Sequence, residues 1–336
     1  MVISDKQELR RCVKQAVRRA CVCESDLSFD VMHGSLGVSA MLDLWARPAP
    51  TASESLKRSC ADQTPFAPEA VAMFAALDAM GFPVQDLDRA VAVERSYDRN
   101  AYIREVLDAL KAKCVLVRVP VDMAQQIQFE DNRFSPLLVV DRDLFTPGRF
   151  GIDYASVAKR IADSASICEA ENLLMTQFDE SALQYCVMPI CQDEGIVLHI
   201  HLESLQDIER FSLMLDQFDG VRAVVSASAE LQATLIDAAV SRVRMLVRLT
   251  EVSFVSQALT KLGVTRFAVY GACASLPEIM LGRWISAKEE IWQALSEAYL
   301  PLARAGYELQ SAAIERDIGR IMCGNLLSLC KRRNME

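Results

Sequence analysis

Ile196-Val197-Leu198-His199-Ile200-His201-Leu202-Glu203 decides the fold, because it reads as one strand carrying two of the three histidines in the chain. Side chains alternate faces along a strand, so His199 and His201 share a face with Val197, while Leu198, Ile200 and Leu202 make the other face apolar. Apolar residues on both faces mark a buried, parallel strand. Two imidazoles near its C-terminal end are then either satisfied core groups or part of a site, and the neighbouring strands decide between the two.

Working outward, similar short apolar runs precede this strand at Val115–Val119, Leu137–Val140 and Leu173–Thr176. They follow it at Ala223–Ser226, Met245–Leu249 and Phe267–Tyr270. Helical patterns lie between most of them, at Tyr154–Glu171, Glu180–Asp193, Ser204–Asp219, Ala229–Ser241 and Ser253–Gly263. The last five strands recur roughly every 22 to 27 residues, the spacing of a βα unit. An earlier short strand, Ala20-Cys21-Val22-Cys23, follows a charged amphipathic helix over Asp5–Arg19 and brings the count to eight.

Residues 24–36 read as a loop holding Met32-His33-Gly34. The stretch 37–113 then reads as a helical insertion, with helices at Gly37–Ala46, Pro68–Met80, Leu87–Glu94 and Asn100–Lys113. Pro68 sits where a first helical turn tolerates it, and Gly81-Phe82-Pro83 ends that helix. One strand before the insertion and seven after it predict an α/β chain closing into a (β/α)8 TIM barrel, a single domain over 1–336. The run from Ile285 to Leu329 predicts a helical tail against the outside or bottom of the barrel. An open doubly wound sheet is the alternative, but neither G-x-G-x-x-G after a strand nor G-x-x-x-x-G-K-[ST] is present.

Of 336 residues, 51% are hydrophobic and 24% charged, enough to bury a large core. The net charge of −9 argues against a nucleic-acid partner, since phosphate backbones are bound by clustered Lys and Arg. No run approaches the ~20 apolar residues of a membrane helix. Eleven cysteines, odd in number, scattered, and with no secretory signal before them, fit thiols in a reducing cytoplasm.

A barrel carries its chemistry on the C-terminal rim of its strands. The rim positions predicted here are Cys21 and Cys23, Arg118, Asp141 and Arg142, Gln177, His199 and His201, Ser226 and Ser228, Arg248 with Glu251, and Tyr270 with Cys273. Arg118, Arg142 and Arg248 have the fork geometry that binds a carboxylate bidentately, and each can equally be a rim charge. Tyr270 either stands over the mouth or packs there. Cys21 and Cys23 read as inward packing, as metal ligands or as reactive thiols. Glu203 shares the face of the two histidines and can orient one of them. His33 reads as an exposed loop residue, and Asp141-Arg142-Asp143 as a loop salt bridge.

The C-terminal run Phe267–Trp284, the helix Ala287–Leu300, Leu302–Tyr307 and Ile314–Asn325 resemble the end of uronate isomerase-like proteins of the amidohydrolase superfamily. There a last strand leads through a G-[KR]-W turn, here Gly282-Arg283-Trp284, into a long helix. Gly37–Leu42, Leu107–Leu110, Val115–Val119 and Asp131–Pro136 add to the similarity, which covers most of the chain. The resemblance implies a metal-dependent aldose–ketose isomerase of sugar acids such as glucuronate. The family's H-x-H falls on Cys21-Val22-Cys23, its later histidine on His201, and its terminal Asp on Cys273 or Ala272. The family's downstream arginine has no match in Leu202–Asp207. On this carry-over the hard-metal ligands are replaced, and a Zn²⁺ site of Cys21, Cys23, Cys273 and His201 takes their place. Arg118, Arg248 and Tyr270 are the candidate catalytic residues. Two functions stay open: an isomerase or related metal-assisted enzyme on an altered ligand set, and a catalytically inactive barrel serving as a small-molecule binder or partner subunit. The sequence does not choose between a lid and an interface for the insertion, and a homo-oligomer is compatible with it.

Overall fold

Eight parallel strands follow one another across a single curled sheet in strict chain order: β1 (Val22–Leu27), β2 (Ala112–Pro120), β3 (Phe134–Val140), β4 (Asn172–Met175), β5 (Val197–Leu202), β6 (Ala223–Ala227), β7 (Met245–Arg248) and β8 (Phe267–Ala268). The computed structural model describes residues 3, 5–27, 68–81, 99–148, 151–269 and 277–330. Between strands run α4 (Tyr154–Ile167), α5 (Met188–Glu194), α6 (Leu205–Gln217), α7 (Ala229–Ala239) and α8 (Val255–Leu262). Three helices come earlier in the chain, α1 (Lys6–Arg19), α2 (Pro68–Ala79) and α3 (Arg99–Leu110). Two come later, α9 (Pro277–Arg304) and α10 (Ser311–Gly319), the last continuing through a π turn, Arg320–Gly324, into α11 (Asn325–Cys330).

The strands form where short apolar runs bury both faces. In β5 all residues but His201 are buried, and in β6 all five are. Outward residues such as Val115, Leu138, Leu198 and Val225 join the helices in the main core. Inward residues, among them Cys114, Leu116, Leu137, Val197, Val224 and Leu246, fill the sheet's concave side. Helix starts follow capping chemistry: the Asp5, Asp153 and Ser204 side chains accept from the backbone N–H of Glu8, Ser156 and Asp207.

Among the described residues the ring does not close by strand pairing, since β8 and β1 share no ladder. The turn Arg320–Gly324 sits against both strands and occupies the seam. Val269 N–H donates to the Ile321 carbonyl at 2.9 Å, and Asn325 Nδ2 donates to the carbonyls of Phe267 at 2.8 Å and Val264 at 2.9 Å. The last carbonyls of α11, which a helix cannot satisfy internally, accept from the sheet: Leu329 O from Arg222 Nη1 and Cys330 O from Asn172 Nδ2. The tail therefore lies at the barrel floor, the bottom rather than the outside, and among the described residues it sits where β8 and β1 share no ladder.

Two further corrections concern motifs. The first strand lies later than Ala20–Cys23, over Val22–Leu27, because Glu24, which makes this segment look like a loop, is buried and accepts a hydrogen bond from Trp284 Nε1 at 2.8 Å. Gly282-Arg283-Trp284 is not a turn but lies inside α9. There Gly282 lets α9 cross α2 at Ala72, and fully buried Trp284 reaches back to β1. The expected helices Gly37–Ala46 and Leu87–Glu94, and residue His33, lie outside the described residues. No helix among those described is long and apolar enough to cross a membrane.

Candidate functional site at the C-terminal mouth

Because β5 is central and its inward residues alternate, Val197, His199 and His201 climb the inside of the sheet from floor to mouth. His199 is buried, and its Nε2 lies 3.0 Å from Asn172 Oδ1 at the start of β4. The amide oxygen only accepts, so Nε2 carries the proton and donates. Burial, reinforced by the positive charge of Arg248, pushes His199 down to about 3, so the ring is neutral. Asn172 also donates to Cys330 O at 3.4 Å, and Cys330 Sγ stands 4.0 Å from His199 Nε2. His199 is thus a satisfied structural imidazole, one step below the mouth.

His201 is half-buried, with Nδ1 3.0 Å from Ser226 Oγ on the adjacent strand, its register partner. Burial lowers its affinity for a proton, the Arg248 charge lowers it further, and Glu203 works in the opposite sense. Arg248 at the end of β7 is half-buried and acts on both rings. Arg118 is the inward residue above Leu116 on β2, also half-buried. Thr176 Oγ1 donates to Asp141 Oδ1 at 2.8 Å and ties the ends of β3 and β4. The mouth accordingly carries two guanidiniums, a neutral imidazole, two hydroxyls and one hydrogen-bonded carboxylate. Arg142 and Asp143 lie exposed in the turn Arg142–Phe145.

This electrostatic arrangement predicts a titration result. With only three histidines in the chain, His201 is expected to titrate below the usual imidazole value near 6.5, and Glu203→Gln to move it lower still. Imidazole NMR against pH reads this directly; an unchanged titration on Glu203→Gln would mean that the carboxylate does not act on the ring.

Of the expected thiolate set, the described members Cys21 and Cys23 do not stand with His201. β1 runs on through Leu27, so Cys21 and Cys23 stand at its N-terminal start, the floor, instead of at its rim end. Cys23 pairs with Cys114 across the β1–β2 ladder and packs with Val197, the first residue of β5, whereas His201 stands four residues further up that strand. Cys273 and Tyr270 lie outside the described residues. Among the described residues no three His, Cys, Asp or Glu are placed to hold a metal ion. Those facing the mouth, with two guanidiniums and one imidazole, do not fit a divalent cation and suit an anion instead.

Sequence reading missed Asn172, which stands after Glu171 at the very start of β4 and so reads as the end of the preceding loop. It also missed Cys114, Cys323 and Cys330, which join Cys23 in the floor cluster.

No family model matches the chain, and no curated protein matches it by sequence. Solved structures do. A uronate isomerase from Bacillus halodurans superposes with a TM-score of 0.80 over 98% of each chain at 14% identity. A uronate isomerase from Thermotoga maritima superposes with a TM-score of 0.63, covering 96% of this chain and 97% of that one at 9% identity. At such identities the likeness shows a TIM-barrel-like fold of the kind those enzymes have.

Proposed function

We propose that this protein is uronate isomerase-like in function as well as in fold: it receives a sugar acid such as a hexuronate at the mouth of its barrel and interconverts the aldose and ketose forms. The observation that carries the reading is the pairing, on inward positions of β2, β5 and β7, of two half-buried arginines with a neutral imidazole. Arg118 and Arg248 take the carboxylate by charge-assisted hydrogen bonds, stronger in a half-desolvated mouth than in water.

Aldose–ketose interconversion moves a proton between C2 and C1 of the open-chain sugar through an enediol. A neutral imidazole is the side chain suited to accept and return that proton near pH 7. His201 fills this role, held by Ser226, and its depressed proton affinity keeps it in the basic form near pH 7. A metal would add Lewis-acid polarisation of the carbonyl, but the described residues do not fit one, and the steps above belong to the chain's own groups.

Calorimetric titration with glucuronate and galacturonate, alongside an aldose–ketose conversion assay, tests the reading. Arg248→Met and Arg118→Met are each expected to weaken binding at least about tenfold, the worth of a charged hydrogen bond. His201→Asn is expected to bind normally and convert nothing. Absence of acid binding by the wild type sinks the proposal. Binding without conversion leaves the second reading, a sugar-acid binder, which the ill-fitting metal-donor set favours.

A further inference from the structure

Four of the cysteines do not belong to the mouth. Cys23 from β1, Cys114 from β2, and Cys323 and Cys330 from the tail converge in one buried apolar cluster at the floor. The Cys23 thiol is in hydrogen-bonding contact with both Cys114 and Cys323. Cys323 belongs to the π turn that sits at the seam where, among the described residues, β1 and β8 share no ladder.

We infer that Cys23 and Cys323 are an oxidative modification site, forming an intramolecular disulfide under hydrogen peroxide that staples the barrel seam. One sulfur attacks peroxide, the O–O bond breaks, the thiol proton passes to the departing hydroxide, and a sulfenic acid and water result. The second thiol attacks that sulfur, the S–O bond breaks, and an S–S bond forms with loss of water. The balance is two thiols and one peroxide to one disulfide and two waters; sulfur is oxidised and peroxide oxygen reduced.

Cys323 is the partner rather than Cys114 for a geometric reason. Cys23 and Cys114 are register partners on neighbouring parallel strands, so their Cα–Cβ bonds lie side by side. A disulfide needs Cβ atoms that approach each other with a near-perpendicular C–S–S–C twist. Cys323 meets Cys23 from a separate element. The bond has a structural consequence, since the turn carrying Cys323 is already hydrogen-bonded to Val269 just past β8. Linking it to β1 closes covalently a ring that hydrogen bonds leave open. The contacts with Cys114 and Cys323, together with burial, keep the Cys23 thiol protonated and slow, so the reaction proceeds at the rate at which the seam opens to a water-sized oxidant.

The test is peroxide treatment of the whole folded chain, followed by intact mass and non-reducing peptide mapping. Expected are a loss of about 2 Da, a Cys23–Cys323 linked peptide, and a melting temperature raised by about 5 °C or more and restored by dithiothreitol. Low urea is expected to speed the reaction. Cys323→Ser is expected to abolish the bond and Cys114→Ser to keep it, which holds the test open if one variant misfolds. A linked peptide joining Cys23 to Cys114 or Cys330, or no two-hydrogen loss while half-buried Cys21 and Cys168 oxidise, overturns the proposal.

Discussion

Replacing Gly282 with alanine is expected to destabilise the protein by about 3 kcal/mol, an unusually large cost for adding one methyl group inside a helix. An ideal Cβ at this position would run into the carbonyl group of Ala72 and come within 2.7 Å of its Cα. The obstruction is backbone, so no side-chain rotation relieves it, and α2 must move away from α9. That movement loosens the contacts of Ala72, Met73, Ala76 and Leu77, all buried in the same core. Two residues on, Trp284 anchors β1 through Glu24, so the strain reaches the first strand of the sheet. Gly319→Ala is the control. It is also helical but has nothing within 4 Å of the new Cβ, and the usual penalty of glycine in a helix predicts a gain of about 0.5–1 kcal/mol. Urea unfolding of the three proteins decides the matter, and equal effects at 282 and 319 would mean that helix propensity alone, and no close crossing, governs Gly282.

The same residues show what the sequence can disclose. Strands β2 to β8 were legible because parallel strands are buried on both faces and so read as apolar runs, and the helices between them because one face of each is apolar. The first strand was misplaced because Glu24-Ser25-Asp26 looks like a loop. Its strand character depends on Trp284, 260 residues away in sequence, and no local pattern contains that partner. The seam was invisible for a similar reason. Eight strands suggest a closed ring, but among the described residues β8 and β1 share no ladder, and only the three-dimensional path of the tail shows what fills the gap.

At the mouth, Arg118, His201, Ser226 and Arg248 could be named because alternation along a strand fixes which residues face inward. Carrying the family's H-x-H onto Cys21-Val22-Cys23 put these thiols at the rim because the strand was ended at Cys23, whereas β1 runs on to Leu27. An endpoint wrong by four residues moves a side chain from floor to rim. The thiols expected at the mouth are floor residues, and their company, Cys114 and Cys323, comes from alternation on β2 and from the tail.

His199 supplies the second large effect, an acid instability. Its proton affinity in the folded chain is pushed down to about 3, against about 6.5 for an unfolded chain. The stabilisation is therefore fully present above pH 6.5 and is lost as pH falls from 6.5 towards 3, because only the unfolded chain takes up the proton in that window. The slope is about 1.4 kcal/mol per pH unit, and the whole window is worth about 5 kcal/mol. Glu278, buried and accepting from Tyr102 Oη at 2.5 Å, has its proton affinity raised by burial. It acts in the opposite sense, gaining stability as the pH falls towards the usual glutamate value. The clean measurement is therefore a difference. Urea unfolding of wild type and His199→Gln at pH 7, 6, 5 and 4 should give free energies that converge as the pH falls, with the variant missing up to one proton of the wild-type slope. Glutamine retains an N–H that can donate to Asn172 Oδ1 but cannot bind a proton. Parallel pH profiles for the two proteins would mean that His199 is protonated in the fold, which would in turn require an acceptor for the second ring N–H and a weaker influence of Arg248 on the middle of the barrel.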